Sequence, residues 1–176
     1  MKQGYLEIYT GDGKGKTTAA MGVALRSLAC GYSVYVGQFM KQGYTGERAM
    51  LEACAEKVQS TCVFEQFGTG NELKAYDKQK DAQACRDGLK RAIEVIRSET
   101  FDVIILDEIN VADSLGYFKD GAVMDLISLR PRTTELILTG RGACAHVIEA
   151  ADLVTEMRQV KHYFDQGVMA RKGIEM

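Results

Sequence analysis

Thr10-Gly11-Asp12-Gly13-Lys14-Gly15-Lys16-Thr17-Thr18 is the stretch on which the fold of this chain turns. Ahead of it, Tyr5-Leu6-Glu7-Ile8-Tyr9 reads as a strand, and behind it a helix is expected from about Lys16 to Cys30. A glycine-rich turn between a strand and a helix is the setting a phosphate-binding loop requires. Glycines let the backbone curl so that successive N–H groups face phosphate oxygens, and the helix N-terminus adds the positive end of its dipole. Lys16 can neutralise terminal phosphate charge, and the Thr17 hydroxyl can ligate Mg²⁺. Thr10 stands where the usual pattern G-x-x-x-x-G-K-[ST] has its first glycine. The plain alternative is a solvated Gly/Lys-rich turn, and the flanking strand and helix argue against it.

Working outward, Met21, Ala24, Leu25 and Leu28 recur at helical spacing as one apolar face, with Gly31 placed as the stop. Val34–Val36 gives a second strand and Cys62–Phe67 a third. A long amphipathic helix is expected from near Asp77 to Glu99, with Cys85, Leu89, Ala92, Ile93 and Ile96 on one side. Val103–Leu106 and Leu136–Leu138 are continuous apolar runs, ending in Asp107-Glu108 and in Thr139-Gly140-Arg141-Gly142. Unbroken, β-branched-rich runs suit parallel strands covered on both faces. The chain therefore reads as an α/β, P-loop NTPase-like (RecA-like) fold, a mostly parallel sheet with helices on both faces. One domain is expected over residues 1–176, and the single proline, Pro131, falls in the loop before the last of these strands.

Asp107 and Glu108 end the most apolar strand, and ligands of parallel sheets collect at strand carboxyl ends. One of these acids can hold Mg²⁺ (or Mn²⁺) directly or through water, as the partner of Thr17. The alternative is that the pair caps the helix that follows.

Composition narrows the classes. With 176 residues, 46% hydrophobic and 26% charged, the chain is an ordinary globular domain. Its 22 basic and 24 acidic side chains leave a net charge of −2, so no positive field exists to hold nucleic acid, and no basic-aromatic stripe interrupts the mixed charges of Lys74–Arg91. No apolar run approaches the ~20 residues of a membrane helix. The N-terminus enters the first strand without the pattern of a signal peptide, so a cytoplasmic setting is expected. The cysteines (Cys30, Cys54, Cys62, Cys85 and Cys144) form no C-x-x-C pair, and most read as small core residues in a reducing compartment. His146 and His162 are the only imidazoles, and neither sits in a Ser-His or Cys-His signature.

A larger set of motifs accompanies the loop: Leu106-Asp107-Glu108, Arg130-Pro131, Glu135 through Ala143, Ala151 through Met157, Val160-Lys161-His162, and Gly167 through Glu175. Together these resemble the P-loop ATP:corrinoid adenosyltransferases of the cobalamin pathway, over nearly the whole chain. The resemblance implies transfer of the 5′-deoxyadenosyl group of ATP to Co(I) of a corrinoid, with release of triphosphate. It implies a triphosphate held by Gly11, Asp12, Gly13, Lys14, Gly15, Lys16, Thr17 and Thr18, in a sense reversed from typical P-loop ATPases so that C5′ is exposed. By the same matching Lys16, Thr17 and Glu108 carry the reaction, Thr17, Glu108 and Asp107 attend the metal, Arg26 meets the nucleoside end, and Arg141 contacts nucleotide or corrinoid. Lys161 and His162 read as scaffold. A reduced flavoprotein donor and a homodimer are also implied.

The chain departs from that pattern in three places. It begins almost at its first strand, so the lid that an N-terminal extension gives relatives is expected to be absent or supplied otherwise; Tyr163 replaces a proline; and Asn71 and Leu73 stand where relatives place an aromatic pair that excludes the corrinoid's lower axial ligand. That exclusion then falls to Leu73, Phe67 or Tyr76. Two other readings stay open: a RecA-like ATPase or small P-loop kinase in which Glu108 polarises water or an acceptor hydroxyl, and a noncatalytic nucleotide-dependent binding module.

Overall fold

The computed structural model describes residues 1–70 and 77–175. β1 (Leu6–Thr10) runs through the glycine-rich turn into α1 (Lys16–Ala29). β2 (Val34–Phe39), α2 (Gly46–Val58), β3 (Cys62–Phe67), α3 (Lys78–Arg97) and β4 (Val103–Asp107) follow. The second half holds the short helices α4 (Ile109–Ser114) and α5 (Ala122–Ser128), then β5 (Glu135–Thr139), α6 (Ala145–Ala150), β6 (Leu153–Glu156) and a 3₁₀ turn at Tyr163–Gln166. The strands form one parallel sheet in the order β3-β2-β4-β5-β1-β6. β5 thus separates the loop-bearing β1 from the acid-bearing β4, and all three strands deliver side chains to the same end of the sheet.

Both faces of the sheet are covered. Along β4, Val103 and Ile105 pack with Ala20, Ala24 and Leu28 of α1 and with Leu51 and Ala55 of α2. Ile104 and Leu106 pack on the other side with Cys85, Ala92 and Ile96 of α3 and with Ala112 and Leu126 beyond it. Alternate residues therefore bury on opposite faces, which is why the run shows no polar alternation. Each such side chain contributes about 1.5–3 kcal/mol relative to an exposed one. The α3 face matches expectation, with Leu89 and Ile93 packed at its rim. Asp77 caps that helix by accepting from the N–H groups of Gln79 and Lys80.

Two expectations are corrected. Leu25 is 46% exposed, and Ala20 completes the buried stripe with Met21, Ala24 and Leu28; the sheet lies toward that side of α1. Only Cys85 is buried among the cysteines. Cys30 and Cys144 are exposed because they stand at the ends of α1 and α6, where the chain turns outward, and Cys54 and Cys62 are half-buried. The expectation placed on Asn71, Leu73 and Tyr76 lies outside the described residues. No helix among the described residues is long and apolar enough to cross a membrane.

Candidate functional site

The glycine-rich turn is shaped by what lies behind it as well as by what it faces. Gly15 has φ +121 and Gly11 φ +92, conformations that L side chains rarely adopt. A Cβ on Gly15 would also lie 3.2 Å from Met157 Sδ, and one on Gly11 2.5 Å from the Met157 carbonyl. The chain leaving β6 is thus laid directly on the loop. Met157 N–H donates to Thr10 O at 2.8 Å and Gly13 N–H donates to Met157 O at 2.6 Å. Gly13 therefore braces the loop from behind with its amide.

Lys16 is buried at the start of α1, with Nζ donating to the carbonyls of Gly11 at 2.6 Å and Gly13 at 2.8 Å. Burial lowers its pKa from the ordinary lysine value, opposed chiefly by Glu108. Lys14 reaches the other way and donates to the Ile174 carbonyl at 2.9 Å, so the tail of the chain closes over the loop.

Asp107, at the end of β4, is fully buried and surrounded by donors. Its Oδ1 accepts from Thr17 Oγ1 at 2.9 Å and Thr139 Oγ1 at 2.7 Å; its Oδ2 accepts from Gln38 Nε2 at 3.1 Å and Lys41 Nζ at 2.9 Å. Four donors fill the carboxylate's acceptor capacity. Burial opposes the charge of Lys41, but Asp107 outweighs it and holds the ammonium's pKa above the ordinary value.

Glu108 differs in every respect. Its backbone is left-handed, with φ 61, fixed by its N–H donating to Thr139 Oγ1 at 3.0 Å. It stands at the N-cap position of α4 but makes no capping bond, so the helix-capping alternative does not describe it. Among the described residues its carboxylate takes no hydrogen bond. Burial, and then Asp107 beside it, raise its pKa above the ordinary glutamate value. An unsaturated carboxylate lining the same cavity as the Thr17 hydroxyl offers a hard oxygen donor of the kind Mg²⁺ takes. Among the described residues no cluster of three or more His, Cys, Asp or Glu forms an all-protein metal cage.

Two adjoining cavities open here. One, about 490 Å³, is lined by Gly13 through Thr18, Lys41, Glu108, Val111, Arg141, His162 and the tail at Ile174 and Glu175. The other, about 650 Å³, shares Lys14, Thr17, Thr18, Lys41 and the tail, and adds Met21, Met40, Tyr44 and Glu47.

The structure gathers Gly11, Asp12, Gly13, Lys14, Gly15, Lys16, Thr17, Thr18, Asp107, Glu108 and Arg141 at this end of the sheet. Arg141 donates to the Asp12 carbonyl at 3.2 Å and pairs loosely with its carboxylate at 4.0 Å. Arg26 is not brought in. It is exposed in the last turn of α1, about 15 Å along the helix axis from Lys16, and among the described residues the cavity linings exclude it. His162 Nδ1 accepts from Phe164 N–H at 3.0 Å at the head of the 3₁₀ turn, a scaffold contact. Lys41 and Gln38 belong to the site without having been singled out by sequence, and Thr139 and Met157 were marked only as members of longer motifs. Thr139 opens the Thr-Gly-Arg-Gly segment, and Lys41 stands just beyond β2, whose extension past Val36 was the missing signal.

A family model described as ATP:corrinoid adenosyltransferase BtuR/CobO/CobP matches residues 2–176. The corrinoid adenosyltransferase of Pseudomonas aeruginosa is 37% identical over 175 residues, with 99% of this chain and 84% of that protein covered. The Escherichia coli K12 protein of the same name is 35% identical, with 99% and 86% covered. The Salmonella typhimurium protein named corrinoid adenosyltransferase CobA is 34% identical at the same coverage. Among solved structures, flagellar accessory protein FlaH from Methanocaldococcus jannaschii shares the fold alone, with a TM-score of 0.61 at 14% identity over 89% of this chain and 72% of that one. The parallel, doubly covered sheet is thus the P-loop NTPase-like architecture expected, and with the match running the length of the site and its scaffold, this chain belongs to the ATP:corrinoid adenosyltransferase family.

Proposed function

We propose that this protein transfers the 5′-deoxyadenosyl group of ATP to the Co(I) centre of a corrinoid. The cobalt supplies the electron pair, its bond to C5′ forms, the C5′–O bond breaks, and triphosphate leaves. The observation that carries the reading is the family match over residues 2–176 on a chain whose phosphate loop opens beside a second, less polar cavity.

Co(I) is its own nucleophile, so no general base is required, and the protein's task is positioning and stabilisation of the departing charge. In this reading the loop from Gly11 to Thr18 cradles the triphosphate, with Lys14, Lys16 and Arg141 supplying positive charge. Thr17 and Glu108 hold Mg²⁺ (or Mn²⁺), which when bound neutralises part of the leaving group's charge. Asp107, already saturated by four donors, orients Thr17 from behind. The cavity of about 650 Å³ takes the side on which C5′ is exposed. Arg26 is left out of this set because of its place on α1.

A homodimer belongs to the reading and is supported by β6, where Leu153 and Val154 are exposed at 45% and 41% along the sheet edge. So do a reduced flavoprotein as electron donor and a cytoplasmic setting, because Co(I) forms and persists only under reducing conditions.

The test is anaerobic incubation with ATP, Mg²⁺ and chemically reduced cobalamin, with the visible spectrum followed and the phosphate product identified. Inorganic triphosphate with a new cobalt–carbon bond is expected. ADP and orthophosphate would assign the site to an ATPase or kinase.

A further inference from the structure

We propose that Lys41 stands beside the divalent cation's seat in the nucleotide-free protein and keeps bare metal out until a triphosphate arrives. The inference rests on the reading that Thr17 and Glu108 form that seat. Lys41 Nζ lies 2.9 Å from Asp107 Oδ2 and 3.5 Å from Thr17 Oγ1, and it lines both cavities at their junction. A single positive charge therefore sits beside the Thr17 hydroxyl, on the wall of the cavity that Glu108 also lines.

The placement is enforced by the backbone. Met40 has φ 61, a conformation that is costly for a residue with a side chain and that persists where its surroundings impose it. It comes directly after β2, whose Gln38 pairs in register with Asp107 on β4. That left-handed step lets Lys41 reach Asp107 from β2. Gln38 is itself buried and holds the same Oδ2, leaving that oxygen's other acceptor position to Lys41.

A dication on Thr17 would lie about 4 Å from this ammonium, and even with water-like screening their repulsion weakens metal binding by about thirty-fold. Triphosphate brings several negative charges to the same spot and reverses the balance. The metal then enters together with the triphosphate, and buried Asp107 keeps a counter-charge throughout.

The test measures Mn²⁺ binding by electron paramagnetic resonance on the full chain, first with Mn²⁺ alone and then with tripolyphosphate added. The parent protein, Lys41→Gln and Lys41→Arg are compared. Lys41→Gln keeps a donor for Asp107 while removing the charge, and Lys41→Arg keeps the charge. Expected is weak binding of Mn²⁺ alone by the parent and Lys41→Arg, binding about thirty-fold tighter by Lys41→Gln, and binding by all three once tripolyphosphate is present. If Lys41→Gln binds Mn²⁺ alone no tighter than the parent while tripolyphosphate still recruits metal, the role of Lys41 falls and the seat stands. If no form binds Mn²⁺ even with tripolyphosphate, the seat falls and the inference with it.

Discussion

Replacing Asp107 by asparagine tests the centre of this site most sharply, because it changes one carboxylate oxygen into an amide NH₂ among neighbours that all donate. On the Oδ2 side, Gln38 Nε2 and Lys41 Nζ have no lone pair with which to receive an N–H. The amide must therefore turn its nitrogen toward Thr17 and Thr139, whose hydroxyls can rotate to accept. Thr139 also receives the Glu108 N–H, so its capacity is already shared. Charge is the larger loss. Removing one partner of a fully buried pair costs about 3–5 kcal/mol. Asp107 is 0% exposed, but Lys41 is 30% exposed on a cavity wall and recovers part of its hydration. About 2–3 kcal/mol of stability is therefore expected to be lost. For a chain of this length that lowers Tm by about 5–10 °C, read by circular dichroism melts of the nucleotide-free protein at neutral pH. Lys41→Gln in the same background supplies the control: if the pair is the cause, the double variant is more stable than the sum of the singles predicts, by about 1 kcal/mol or more. An Asp107→Asn protein that melts with the parent, or a double variant that is strictly additive, would refute the argument.

Three further outcomes follow from the same geometry. Glu108→Gln removes a proposed direct ligand and is expected to weaken tripolyphosphate-dependent Mn²⁺ binding by more than about a hundredfold, against about 10–100-fold for the indirectly acting Asp107→Asn; equal losses would contradict the division of roles. Gly88→Ala puts a Cβ 2.4 Å from Phe67 Cγ where α3 crosses β3, and a loss of about 2 kcal/mol in denaturant melts is expected, with little change at the phosphate loop. Glu135, beside Glu7 at the far end of the sheet, is pushed up to about 7 by burial and by that neighbouring carboxyl. A carboxyl with a higher pKa folded than unfolded binds its proton more tightly in the folded chain. Its stabilisation is therefore complete below about 4.5 and lost as pH rises through about 7. Because the group is partly solvated, about 1–2 kcal/mol is expected. Glu135→Gln should abolish that slope in Tm against pH and leave the variant more stable than the parent at pH 8.

The sequence carried the central strands and the loop because burial on two faces and glycine placement leave direct marks on composition. β3 falls where its apolar run lies, and Asp77 marks the start of α3. α2 was missed because only Leu51 and Ala55 are buried among its residues, too few to set a period. α4, α5 and α6 are six or seven residues long and span fewer than two turns, leaving no periodicity to read. β6 is exposed at every position and so shows no buried alternation; it was visible only as part of a family motif. Within the site, Lys16 and Thr17 were legible from spacing and Asp107 and Glu108, as a pair, from their place at a strand end. Lys41 was not, since its role follows from a left-handed Met40 that no residue preference announces. Met157 was hidden for a related reason: its contacts to Gly11 and Gly13 are made by backbone, which carries no sequence signature.

In the proposed reaction the loop grips three phosphates while leaving the sugar's C5′ open to the neighbouring cavity. A crystal structure of the protein with Mg²⁺ and ATP tests it most directly. Triphosphate along residues 11–18, metal against Thr17 and Glu108, and C5′ facing the cavity of about 650 Å³ bounded by Lys41 and Tyr44 are expected. A γ-phosphate at that opening, with the ribose turned away from it, would contradict it.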